Sequence, residues 1–203
     1  NRIKSISSTM QITKAMELVA ASKMRKASEG IERSKPYFNI LHETLEDIAK
    51  DNKDFSSVFT REREGKTCHI VIAGDRGLAG GYNNNIVKLI AGNPELKAED
   101  TYVYAIGRKG RDGLSKKGYE IKGDYSEVIN EPVYQDAADL TKELLASFGR
   151  GEIGEIYLAY TSFKNTVVHI PKLIKLLPFT MEAGEDGEHE TEKAQALMNY
   201  EPN

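Results

Sequence analysis

The chain has 203 residues, of which 39% are hydrophobic and 29% charged, and its formal net charge is −3. These values are typical of a soluble globular protein with one ordinary domain and room for an extension. No run approaches the roughly 18 apolar residues of a membrane-spanning helix, and no uninterrupted apolar segment follows the basic N-terminus as in a secretion signal. The single cysteine, Cys68, lies in an apolar run and is expected to be buried rather than disulfide-bonded.

The charges are distributed unevenly along the chain. Residues 2–26 contain six Lys or Arg and one acid, whereas residues 182–192 contain six acids and no base. Opposite charge near the two ends suggests two surfaces with different partners.

Residues 1–50 are predicted to form one long helix. A heptad pattern begins at Ile3, Ile6 and Met10 and continues without a change of register, as in a left-handed coiled coil. At ~1.5 Å per residue the helix would be about 70 Å long, and Pro36 is expected to kink or divide it. We call its later apolar positions the seam: Ala20, Met24, Ala27, Ile31, Phe38, Leu41, Leu45 and Ile48.

A second surface of the same helix combines apolar and basic side chains. Met16 and Val19 form an apolar patch beside the seam, and four cations accompany it: Lys14, Lys23, Arg25 and Lys26. Nucleic acid is disfavoured as the partner, because the chain is net acidic and no aromatic residue accompanies the cations. We therefore expect this basic face to lie against an acidic protein surface.

After a linker at 51–66, residues 67–181 are predicted to form an α/β domain. Strands are expected at "TCHIVIAG", "TYVYAIG", "GYEIKGDY", "GEIYLAYTSF" and "VVHIPKLIKLLPF", the last at a sheet edge because it contains Pro171. Helices are expected from about Asn83 to Ala91 and over 133–149. Strands separated by helices predict a parallel or mixed three-layer sheet, Rossmann-like in class. Residues 182–203 are interpreted as an acidic loop and a connection.

The glycine-rich turn "GDRGLAGG" after the first strand raises an enzymatic alternative. A phosphate loop would occupy this place in an α/β sheet, but the spacing matches neither GxxxxGK[ST] nor GxGxxG, and Asp75 would repel phosphate. The four histidines lack metal-ligand spacing, and no nucleophile motif is present. We therefore expect no catalytic residue, cofactor or metal. The alternative that stays open is a Rossmann-like nucleotide-binding enzyme with a helical oligomerisation arm.

Three runs together carry a family resemblance. "ITKAMELVAASKMRKA", "DRGLAGGYNNNI" and "YEP" resemble the gamma subunit of rotary F-type ATP synthase, in that order and over almost the whole chain. The family continues past "YEP" into a second long helix that coils around the first, and this sequence lacks that helix.

The resemblance implies a non-catalytic central-stalk rotor subunit of a proton- or sodium-translocating ATP synthase. Residues 1–50 would be half of a shaft inside the ring of alpha and beta subunits, which the basic face and the Met16 patch would contact. The α/β domain would be a foot that meets epsilon and the membrane-embedded c-ring, with Tyr200 and Glu201 at that contact. The expected location is the cytoplasmic face of a bacterial membrane, held peripherally without a transmembrane segment.

Overall fold

The computed structural model describes residues 2–51, 57–129, 132–165 and 168–179, with the side chains of 46 and 48–51 left aside. The chain divides into two compact units, Asn1–Phe55 and Ser56–Asn203. The first unit contains one long helix, and the second contains a β-sheet with its helices.

The helix of the first unit is α1, Arg2–Asp51. Alanine, methionine, leucine, lysine and glutamate make up much of its length, and these residues lose little conformational freedom in a helix. Pro36 lies inside α1. Of the two outcomes expected at Pro36, division of the helix is wrong, because the helix continues on both sides of it, whereas a kink stays a prediction.

The second unit contains five strands and three α-helices in its described residues. The strands are β1 (Lys66–Ile72), β2 (Thr101–Ile106), β3 (Glu120–Asp124), β4 (Ile153–Phe163) and β5 (His169–Leu177). The helices are α2 (Tyr82–Ala91), α3 (Arg108–Ser115) and α4 (Tyr134–Gly149).

The strands form one mixed sheet in the order β3-β2-β1-β4-β5. The pairs β1–β2, β1–β4 and β2–β3 are parallel, whereas β4 and β5 are antiparallel. The edge position predicted for the strand that contains Pro171 is confirmed, and there its missing N–H does not interrupt the sheet.

Helices cover both faces of the sheet. On one face, Ile86, Val87 and Ile90 of α2 pack with Val71 of β1 and Val103 of β2 in a buried cluster. On the other face, apolar residues of α4 pack with residues of β1, β2 and β4, and the buried members include Cys68, Ile70, Tyr104, Leu140, Leu144, Phe148 and Ile156. The predicted combination of a mixed sheet with helices is therefore confirmed for this unit.

Helix α3 is not predicted by the sequence, because "RKGRDGLS" contains two glycines and one large apolar residue. A Cβ at Gly113 would lie 2.6 Å from Val87 Cγ2, so the glycine permits α3 to approach α2 closely. Gly107, just before α3, has φ +106°, and a Cβ there would lie 2.1 Å from the carbonyl oxygen of Ala73. The helix thus depends on close tertiary contacts that helix propensity does not include.

Candidate functional site

The seam of α1 is exposed along the described part of the chain. The exposed fraction of the residue is 44% for Met24, 62% for Ile31 and 63% for Phe38. Ala20, Ala27, Leu41 and Leu45 are also exposed, and the side chain of Ile48 lies outside the described residues. Adjacent exposed apolar residues at heptad spacing indicate a binding surface rather than isolated surface hydrophobes.

The four cations of α1 surround the helix rather than form one face. At about 100° per residue, Lys14 and Arg25 lie roughly 20° apart, and Lys23 and Lys26 lie roughly 60° apart on the other side. All four side chains are exposed. Arg25 pairs with Glu29 at 3.8 Å between Nε and Oε1, and both side chains of that pair are exposed. Such an exposed pair contributes only ~0–1 kcal/mol to stability.

The apolar patch of α1 lies on the same side of the helix as two of these cations. Met16 and Val19 are each 57% exposed. Val19 lies about 20° from Lys26 and about 40° from Lys23, and Met16 lies about 20° from Lys23 and about 80° from Lys26. One side of α1 therefore presents apolar area bordered by positive charge, while Lys14 and Arg25 extend the charge around the circumference.

The glycine-rich turn after β1 is closed by its own side chains. Asn83 of α2 accepts a hydrogen bond from the backbone N–H of Gly74 at 2.7 Å and donates one to the carbonyl of Arg76 at 3.1 Å. Asp75 Oδ1 accepts a hydrogen bond from the N–H of Arg108 at 2.9 Å, at the first residue of α3. The carboxylate therefore adds negative charge at the N-terminus of α3, beside the turn, and disfavours a phosphate group there.

The tip of this turn exposes an apolar side chain. Leu78 is fully exposed at 101% and has φ +63°, in the left-handed region that non-glycine residues rarely adopt. Residues held in such conformations are concentrated at functional sites. This geometry agrees better with a contact surface at the turn than with a nucleotide site. The sequence offers no signal that Leu78 would be the exposed residue.

The remaining reactive side chains of the described segments do not assemble a catalytic centre. No group of three or more His, Cys, Asp or Glu that could hold a metal ion occurs among the described residues. Cys68 is fully buried, and burial raises the pKa of its thiol to about 12, so it stays protonated. His69 is also fully buried, and neither ring nitrogen has a hydrogen-bond partner within the described part of the chain.

Glu143 joins α4 to the sheet, an arrangement that the sequence does not suggest. Its carboxylate accepts hydrogen bonds from Tyr104 Oη at 2.9 Å and Tyr125 Oη at 3.1 Å. Burial and the Glu143 carboxylate raise the pKa of the Tyr104 hydroxyl, so the tyrosine remains a donor. The role of Glu143 is to fix α4 rather than to act in chemistry.

Two predicted contact residues, Tyr200 and Glu201, lie outside the described residues. Among the helices that the structure describes, none combines the length and the hydrophobicity needed to cross a membrane.

Comparison with known proteins gives a consistent result. The family profile described as ATP synthase matches residues 1–203. The ATP synthase gamma chain of Lachnoclostridium phytofermentans is 49% identical over 206 residues, which cover 99% of this chain and 70% of the relative. The sodium ion specific ATP synthase gamma chain of Acetobacterium woodii is 37% identical over 215 residues, covering 99% of this chain and 71% of the relative.

A solved structure is similar in fold as well as in sequence. The central stalk and c-ring structure of the mitochondrial ATP synthase of Tetrahymena thermophila matches with a TM-score of 0.62 and 26% identity. The match covers 82% of this chain and 72% of that chain.

Proposed function

This chain belongs to the gamma chain family of ATP synthase, and we propose that its two units are the shaft and the foot of the central stalk. It is a rotor subunit of the ATP synthase and is not itself catalytic. The observation that carries the proposal is α1, a fifty-residue helix whose apolar seam is exposed at its described positions.

We propose that α1 turns inside the ring of alpha and beta subunits. Acidic loops of those subunits would contact the four cations, Lys14, Lys23, Arg25 and Lys26. An apolar surface of the ring would contact Met16 and Val19 as the helix rotates. A rotating shaft meets the surrounding ring at every angle, and cations distributed around the circumference suit that task. Rotation would transmit work by changing which catalytic subunit is contacted, and each contact would favour one of its conformations.

We propose that the second unit is a Rossmann-like foot that binds epsilon and the c-ring. In this proposal the shaft is residues 1–50 and the linker is 51–66. The foot is residues 67–181, and the connection is 182–203. The seam would pack on a further helix that runs antiparallel to α1. The assembly would stand peripherally on the cytoplasmic face of a bacterial membrane and couple to proton or sodium flow.

Charge reversal tests the ring contact. Replacing Lys14, Lys23, Arg25 and Lys26 together by Glu should slow assembly with the catalytic subunits, because electrostatic attraction mainly raises association rates. A matched control reverses four exposed lysines of the second unit, namely Lys97, Lys109, Lys116 and Lys117. If both variants assemble at the parent rate at low ionic strength, the cations of α1 make no contact with the ring.

The foot contact is tested at Glu201. We propose that Glu201 faces a basic residue of the c-ring. Glu201→Lys should then impair ion-driven ATP synthesis while sparing ATP hydrolysis by the detached catalytic head. Glu201→Gln should be milder, because an exposed ion pair contributes only ~0–1 kcal/mol and its loss creates no repulsion. Equal loss of both activities would place Glu201 in the fold instead of at a joint.

Calorimetric titration with ATP, NAD and NADP separates the rotor from the nucleotide-binding alternative. We expect no tight binding to any of the three, because the turn after β1 matches neither phosphate-binding pattern and Asp75 adds negative charge there. Co-purification tests the partners, since a rotor subunit should bring alpha, beta and epsilon with it.

A further inference from the structure

Two segments that flank the sheet of the second unit meet at the C-terminal end of α4. The entry segment, residues 57–65, leads into β1, and the exit segment, residues 177–179, ends β5 and continues the chain. A backbone hydrogen bond joins the two segments, because the N–H of Phe179 donates to the carbonyl of Phe59 at 2.7 Å. They are therefore held together although the whole sheet lies between Phe59 and Phe179 in the sequence.

Phe148 of α4 connects both segments to the core. It is fully buried, and the ring of Phe59 stacks on it with 6.2 Å between the ring centroids. Leu177 packs against the buried cluster that contains Phe148, and Pro178 beside it is fully buried. Phe59 itself is 39% exposed. The stack therefore attaches the entry segment to α4 without making Phe59 part of the core.

The entry segment has two further attachments at the same place. The Cζ atom of Arg63 lies 5.6 Å from the centroid of the Phe148 ring, and Arg63 Nη1 donates to the carbonyls of Phe148 and Gly149 at 3.1 Å each. A Cβ on Gly154 of β4 would lie 2.5 Å from the carbonyl oxygen of Arg63, and a Cβ on Gly65 would lie 2.6 Å from the backbone nitrogen of Gly154. Two glycines thus permit a backbone approach that fixes the path of the entry segment.

Tying the two segments together has a mechanical consequence. A single chain connection transmits torque poorly, because its φ and ψ angles rotate freely. The entry segment follows α1 in the chain, and the exit segment leads on from the sheet. When both are bonded to each other and to one helix end, rotation about the backbone of one segment is opposed by the other.

We propose that Phe59, Arg63, Phe148 and Phe179 form a clamp, a positioning site through which torque passes between the second unit and the shaft. The clamp keeps the two chain connections together, so that the second unit and the shaft turn as one body. Its closure is a property of the second unit alone. Its role in coupling rests on the proposed rotor function.

Amide hydrogen exchange at Phe179 in the isolated chain tests the closure. In the parent this amide should be protected, because it donates to Phe59. Phe59→Ala keeps the carbonyl acceptor but removes the stack on Phe148, and it should accelerate the exchange of Phe179 on the order of fivefold, as the contribution of one aromatic pair implies.

Phe163→Ala provides the matched control for the exchange measurement. Phe163 is also an exposed phenylalanine of this unit in a ring stack, with His169 at 5.9 Å between centroids. Its removal should leave the exchange of Phe179 unchanged. An unprotected Phe179 amide in the parent, or equal exchange in the parent and Phe59→Ala, would overturn the clamp. The isolated chain decides this point even if the rotor function were to fail.

The coupling role is measured in membrane vesicles that carry the assembled ATP synthase. The Phe59→Ala, Arg63→Ala double variant should transport fewer ions per ATP hydrolysed, whereas Phe59→Tyr, which keeps a ring, and Phe163→Ala should match the parent. A loss of stability alone would reduce the amount of complex and lower both activities in proportion, so it would not change this ratio. A parent ratio in the double variant would reject the coupling role, whereas a parent chain that does not assemble would reject the rotor function instead.

Discussion

Acidification should destabilise the second unit through one buried residue, His69. The ring is fully buried in β1 and stacks on Tyr157 with 5.4 Å between ring centroids. Burial lowers the pKa of His69 to about 4, and the nearby Glu155 carboxylate only partly opposes the shift. The histidine is therefore neutral in the folded protein through the weakly acidic range.

The sign and size of the effect follow from linkage. The unfolded chain binds a proton at His69 below about pH 6.5, whereas the folded chain does so only below about pH 4. This contribution to stability is constant above pH 6.5 and declines as the pH falls toward 4. A difference of about 2.5 pKa units corresponds to about 3 kcal/mol in total, of which about 2 kcal/mol is lost by pH 5.

Urea unfolding of the parent and of His69→Phe between pH 7.5 and pH 5 measures this loss. Tyrosine fluorescence reports on the second unit, because nine of the ten tyrosines follow residue 56. The phenylalanine ring retains the stacking and cannot titrate, so the variant should gain about 2 kcal/mol relative to the parent on going to pH 5. Any change in packing energy that the substitution causes is the same at both pH values. It therefore cancels when the change in unfolding free energy of the parent is subtracted from that of the variant.

The exposed His169 on β5 supplies the control for this measurement. His169→Phe should not reproduce the gain, because His169 is exposed and the substitution leaves the buried His69 in place. The reasoning is refuted if the unfolding free energies of the parent and of His69→Phe change in parallel from pH 7.5 to pH 5.

Three further substitutions test contacts that position the helices of the second unit. Glu143→Leu should lower the unfolding free energy by about 1–3 kcal/mol, because it leaves the buried Tyr104 hydroxyl without its acceptor, and Glu143→Gln should be milder. A double-mutant cycle with Tyr104→Phe measures the coupling energy between the two side chains. Asn83→Ala should raise proteolytic cleavage near Leu78, whereas Asn83→Asp, which keeps the acceptor for Gly74, should be intermediate. Arg63→Met should cost about 1–2 kcal/mol, because Arg63 Nη1 donates to the last carbonyls of α4 at 3.1 Å; equal urea midpoints for parent and variant would contradict this.

Elements with a clear hydrophobic period can be predicted from the sequence, and elements built on close contacts cannot. The α4 helix is predicted over 133–149 and runs Tyr134–Gly149, because its apolar residues recur at helical spacing. Helix α3 has too few apolar residues for such a period. Its Gly113 is explained only by the close approach to Val87, which the folded structure reveals. Whether the ring nitrogens of His69 find hydrogen-bond partners likewise depends on which residues surround the ring after folding.

Asp75 has a structural role that its charge alone does not reveal. In the sequence it is an acid that would repel phosphate at the turn after β1. In the structure its carboxylate also accepts a hydrogen bond from the N–H of Arg108 and thereby stabilises the start of α3. An acid in a glycine-rich turn can therefore be explained by a helix that begins more than thirty residues later.

The two units differ in the origin of their stability, and this difference limits how the shaft can work. The second unit buries an apolar cluster on each face of its sheet, so its own core stabilises it. Helix α1 leaves its seam exposed and contains Gly30 and Pro36, and an amphipathic helix in water gains most of its stability from packing. Its stiffness must then come from whatever covers the seam. If α1 is the proposed shaft, torque transmission through it is a property of the assembled stalk, and variants that uncover the seam should weaken coupling without unfolding the second unit.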